Sequence, residues 1–150
     1  MAITASGLFG LTLEKVFIDT LGESLEAEDH TLSLVLDTYT PNFDTHDFHA
    51  DLTNEITGGN YAADVVITTE FTLSAGTATY DAADNVYDNA GANNVTITDA
   101  MASVLVTTVS GSATNQLVCL HDFVTAASCS NSTFTVQWNA SGLFTLDYTP

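Results

Sequence analysis

The chain has 150 residues, 45% of them hydrophobic, which suits one domain with a substantial core. Lys15 is its only basic residue against nineteen carboxylates, and the formal net charge is -18. A chain so poor in cations cannot displace the counterions of a phosphate backbone, which excludes DNA and RNA as partners and anionic membranes with them.

Only 13% of the residues are charged, and Val, Thr, Leu and Phe are abundant, so the chain is expected to fold with its carboxylates at the surface. The opening MAITASGLFG has neither a basic start nor a sustained apolar run, and no stretch nears the roughly 20 apolar residues of a membrane helix. The expectation is a protein made in a cytoplasm, without membrane contact. Leu8, Leu11, Val16, Phe17 and Leu21 recur near helical spacing, which predicts one short helix over residues 12–21 with Gly22 as its stop. Residues 1–25 then form an N-terminal segment, and GESLEAEDH reads as an acidic turn before a β domain over residues 26–150.

From residue 31 onward, short runs rich in Thr, Val, Phe and Ile alternate with Gly, Asn and Asp clusters, the pattern of strands and turns. Residues 31–36 (TLSLVL) read as a strand with one wet face. Residues 65–73 (VVITTEFTL) read as one long strand, and TATYDAADNVYD as two short strands about a turn at 82–85. Further strands are expected at 94–98 (NVTIT), 103–109 (SVLVTTV), 117–123 (LVCLHDF), 133–138 (TFTVQW) and 143–146 (LFTL), with SGSATNQ and NASG as hairpin links. Eight or nine strands without intervening helices point to an all-β chain, an antiparallel sandwich or jelly roll.

Several residue groups invite chemistry. The stretch YTPNFDTHDFHADLTNEI holds His46 and His49 among Asp44, Asp47 and Asp51, a ligand set for zinc or calcium. Its bland alternative is a structured loop in which the side chains of Asp44, Thr45 and Asp47 close turns, His46 serves as a hydrogen-bonding post, and Phe43 or Phe48 anchors the loop. Asp81, Asp84, Asn85 and Asp88 offer hard oxygens, but the order of an EF-hand loop is missing. Cys119 and His121 fall on one face of a strand, which is a neighbour contact before it is a catalytic pair. TGGNY lacks the Lys and Ser/Thr of a phosphate loop. The two cysteines are expected as reduced thiols, and Asn94, Asn131 and Asn139 as chance N-x-S/T triplets. Phe134, Val136 and Trp138 alternate toward one face, as core or interface residues do. No catalytic, cofactor-binding or metal residue is assigned on these grounds.

Taken together, YTPNFDTHDFHADLTNEITGGNYAA, TATYDAADN and STFTVQWNASGLFTL resemble a family of small virion proteins encoded beside the head genes of tailed bacteriophages. The likeness runs from about Leu32 to Leu146. It implies a capsid decoration, or cement, protein on the outer surface of the mature head, with a tail or head-fibre component as the nearest alternative. It further implies the major capsid protein and further copies of the chain as partners, a homotrimer before a dimer, and no enzymatic reaction. Asp99 and Met101 stand where similar sequences tend to carry a basic residue, so a contact made through a basic strand is not carried over. The segment before Leu25, which holds the lone lysine, is the expected site of contact with the shell.

Overall fold

The computed structural model describes residues 3–18, 25–26, 30–62, 65–107 and 115–149. The fold is mostly β and all its strand pairs are antiparallel. In chain order the elements are β1 (Gly7–Leu8), α1 (Gly10–Phe17), β2 (His30–Leu36), a 3-10 turn (His49–Asp51), β3 (Val65–Ile67), β4 (Thr69–Ser74) and β5 (Thr77–Ala82). They continue with β6 (Asn85–Tyr87), β7 (Val95–Thr107), β8 (Leu117–Ser132), β9 (Phe134–Val136) and β10 (Phe144–Asp147). The strands form a five-stranded sheet in the order β1-β8-β7-β2-β3, a three-stranded sheet β10-β5-β4 and a two-stranded sheet β6-β9.

The five-stranded sheet is the spine, and where β2, the second half of β7 and the start of β8 lie side by side it is buried on both faces. On one face Leu32, Leu34, Ile97 and Leu105 meet Tyr80, Tyr87 and Phe134 from the smaller sheets. On the other, Val35, Val104, Val106 and Leu120 pack with Phe9 and Tyr39, from the N-terminal segment and the 39–56 loop. Each Leu or Val so enclosed contributes roughly 1.5–3 kcal/mol of transfer free energy. The wet face expected for residues 31–36 is therefore absent: Ser33 is 0% exposed and Thr31 6%. Small hydroxyl side chains fit beneath the covering loop, and period-two alternation alone does not reveal a second cover.

The helix comes earlier than predicted, at Gly10–Phe17, with Ile18 as its C-terminal cap; residues 19–21 of the prediction lie outside the described residues. The N-terminal segment is built into the body over its described residues. Ile3 and Phe9 are buried, β1 pairs with β8, and Thr12 donates its hydroxyl to the Leu117 carbonyl at 2.6 Å. Gly7 permits this approach, because a Cβ there would stand 2.9 Å from the Phe43 ring.

The strand pattern differs from the sequence reading in several places. β8 runs on to Ser132 where an end at residue 123 is expected. VVITTEFTL breaks at Thr68, with β3 in the large sheet and β4 in the three-stranded one. The runs at 94–98 and 103–109 join into the single strand β7, which crosses Asp99 at φ 55 through a bulge. NASG is a turn, with the Gly142 amide on the Asn139 carbonyl at 2.8 Å, yet it joins strands of different sheets and so closes no hairpin. The SGSATNQ link lies largely outside the described residues, as do residues 108–109.

Candidate functional site

The 39–56 loop is held by its own short side chains. Asn42 accepts the amides of Asp44 and Thr45 on Oδ1 at 3.1 and 3.2 Å, which closes the turn after Pro41. Asp51 accepts the amides of Asp47 and Phe48 at 2.9 and 3.0 Å, and these two backbone donors hold its carboxyl below the ordinary carboxylate range. His46 Nδ1 lies 2.9 Å from the Tyr39 hydroxyl, the post expected of it. Phe43 anchors the loop against Phe9, with ring centroids 5.2 Å apart.

Lys15 reaches from α1 across this loop. Its Nζ donates to both Asp47 oxygens, at 2.7 and 2.6 Å, and lies 4.7 Å from the centre of the Phe48 ring. The only cation in the sequence is thus committed to fastening the helix to the loop.

The metal pair does not assemble. His46 and His49 have separate partners, His46 Nδ1 at Tyr39 and His49 Nε2 3.2 Å from Ser33 Oγ and 3.4 Å from Glu55 Oε2. Among the described residues no group of three His, Cys, Asp or Glu side chains could hold a metal ion. Of the candidate calcium ligands, Asp84 accepts the Trp138 amide at 3.0 Å and the Gln137 side chain at 3.3 Å, Asp81 accepts the Ala82 amide, and Asn85 is buried.

Ser33, His49 and Glu55 form a serine–histidine–acid grouping that no spacing along the chain signals. It lacks the relay of a nucleophilic triad, because serine and glutamate meet the same ring nitrogen where a triad uses both. Ser33 is also 0% exposed, out of reach of any substrate. The Cys119–His121 pair is equally quiet. Burial pushes the Cys119 thiol up to about 12 and the His121 imidazole below its ordinary value, so each favours its neutral form. The two stand 3.5 Å apart, and the His121 ring meets Trp138 edge-on at 5.0 Å. Both cysteines are free thiols.

What the molecule does present is apolar surface. At the end of α1, Val16, Phe17 and Ile18 are 40%, 74% and 58% exposed. On the three-stranded sheet Phe71, Leu73 and Leu146 remain exposed, with Tyr148 just beyond β10. A small apolar cleft of about 20 Å³, bordered by Leu13, Val16, Leu25 and Phe144, lies between helix and sheet. The signal for the sheet surface was present in the sequence, since Phe71 and Leu73, like Leu146 and Tyr148, stand two apart. Nothing in the pattern showed that their cover would stop short. Comparison with known proteins adds no relative: no family model, curated protein or solved structure matches the chain.

Proposed function

We propose that this chain is a non-enzymatic adhesive subunit, a capsid decoration protein that binds the outer surface of a mature phage head and bridges neighbouring capsomers. The resemblance of its three sequence blocks to small virion proteins of tailed phages supplies the setting. The observation that carries the adhesive reading is the apolar end of α1. Val16, Phe17 and Ile18 project from the end of a helix that Thr12 and Phe9 tie to the large sheet and Lys15 to the 39–56 loop. Large side chains held out on a rigid body lose little entropy when a partner covers them, which favours binding.

The mechanism is mass action on a shell. A subunit that binds only the expanded lattice shifts the balance toward it, and many sites sum small terms. The partners are the major capsid protein and further copies of the chain, as a trimer first and a dimer second. Identical subunits of charge -18 repel, so salt and divalent cations strengthen their packing side by side.

The test is the number of chains per purified particle, followed by occupancy with Phe17→Ser and Ile18→Ser. Hundreds of copies, and a marked loss of occupancy by variants of unchanged Tm, are expected. A handful of copies would assign the chain to the tail or a head fibre, and full occupancy by both variants would remove α1 from the contact. Truncating the N-terminus is the poorer experiment, because Ile3 and Phe9 belong to the core.

A further inference from the structure

The three-stranded sheet ends in β4, and among the described residues no strand lies beside its outer edge. Directly opposed residues share a face, so Phe71, Tyr80 and Phe144 stand together, as do Leu73, Ala78 and Leu146. In the central strand this face is core, with Tyr80 at 0% and Ala78 at 5% exposure. At the edges the same face stays apolar but loses its cover: Phe71 is 36% exposed, Leu73 67% and Leu146 37%. The opposite face carries Glu70 and Asp81, paired across the sheet, and Asp147.

Exposed strand edges are ordinarily guarded by lysine, proline, a bulge or a covering element. β4 (TEFTLS) has no lysine and no proline, and its pairing with β5 runs unbroken from Thr69↔Ala82 to Ser74↔Thr77. It offers a straight row of backbone groups with an apolar side and an acidic side.

We propose that β4 accepts an extended segment of a partner protein as an added strand, with apolar side chains against Phe71 and Leu73 alternating with Lys or Arg toward Glu70 and Asp81. Main-chain hydrogen bonds give such an addition its affinity, and the alternate side chains give it selectivity. Charge selects the occupant. The chain has nineteen carboxylates and one lysine, and that lysine is bound to Asp47, so a second copy brings only like charge while a basic strand is attracted. The inference rests on the adhesive reading above and names the chemistry of the segment that the chain grips.

The experiment uses the whole chain and a synthetic heptapeptide, KVKVKVK, with EVEVEVE and KVKPKVK as controls. Amide hydrogen exchange is read by NMR and affinity by calorimetry. Saturating KVKVKVK is expected to slow exchange of the outward β4 amides about tenfold, Leu73→Lys and Glu70→Lys each to weaken binding about tenfold, a change of about 1.4 kcal/mol, and both controls to fail. Both substitutions fall on exposed side chains, so the fold survives them. Absence of β4 protection, equal binding of EVEVEVE, or unchanged affinity in both variants would overturn the proposal. So would protection that grows with protein concentration in the absence of peptide, since the occupant would then be a second copy. Particle counting separates the two readings: abundant chains on the head with an unresponsive β4 refute the edge alone, and scarce chains with a responsive β4 refute the decoration role alone.

Discussion

Replacing Lys15 with methionine keeps the length of the side chain and removes the only cation. In the wild type the ammonium donates at 2.7 and 2.6 Å to a carboxylate whose side chain is 15% exposed, while the lysine itself is 23% exposed. An open surface pair contributes about 0.2–1 kcal/mol, and hydrogen bonds to charged groups about 1.5–3. This pair lies between those settings, and the contact with the Phe48 ring adds about 0.5. The expected loss is therefore about 2 kcal/mol. Unfolding entropy is near 2.1 cal/mol/K per residue, so for a chain of this length about 2 kcal/mol lowers Tm by about 6 °C. Calorimetry on Lys15→Met, Asp47→Asn and the double variant separates pairing from side effects. The double variant is expected to be less destabilised than the two singles added together, by about 1 kcal/mol or more. A Tm within 1 °C of wild type, or strictly additive singles, would refute the claim that this contact holds the helix down.

Other expectations follow from single contacts. Thr12→Val keeps the shape but removes the hydroxyl from the Leu117 carbonyl, and is expected to cost about 1–2 kcal/mol and to speed exchange of the α1 amides. Gly142→Ala places a methyl 2.6 Å from the Tyr80 carbonyl at φ +82 and should lower Tm by several degrees; a neutral result would show that the β9–β10 turn yields easily. Thiol labelling of the native protein near pH 8 should leave Cys119 unmodified until denaturant is added, and rapid labelling of that residue would contradict its burial. At alkaline pH, burial raises the phenols of Tyr39, Tyr80 and Tyr87, so the folded state keeps protons that the unfolded chain releases. Stability is then full below about pH 10, the ordinary phenol value, and falls as pH rises beyond it. Ultraviolet titration should show these rings ionising only with unfolding. Asp51 works in the opposite direction. Its lowered carboxyl stabilises the fold above the ordinary carboxylate range and ceases to as pH falls through its folded value, so Asp51→Asn should flatten the acid limb.

Much of the fold was legible in the sequence because β-branched and aromatic runs mark strands wherever they are buried. The connections were not. Asp99, Ala100 and Ala102 are poor strand formers and read as a break, yet β7 bulges at Asp99 and resumes pairing with β8 at Ala100 and Ala102, while Met101 faces the extra residues 123–126 of its neighbour. Thr68 carries no glycine or proline, so the change of sheet after β3 left no local trace. Within the 39–56 loop, the role of His46 followed from residue type, but the turns are closed by Asn42 and Asp51 where Asp44, Thr45 and Asp47 were expected, and Asp47 goes to Lys15 instead. The union of Lys15 with Asp47 joins residues 32 apart, and no periodicity encodes it. The edge of β4, without a neighbouring strand among the described residues, was hidden for the same reason: alternation tells which face is apolar and is silent on how far the cover extends.

The carbonyl oxygen of Leu25 receives His30 Nε2 at 2.8 Å and the hydroxyls of Thr69 and Tyr80 at 2.7 Å each. Those donors belong to β2, β4 and β5, and hence to both of the larger sheets. One peptide group is thus a keystone, and withdrawing it would strand three polar side chains at a single stroke. The layers are in this way coupled against sliding, so the body should give way as a whole and seldom by peeling.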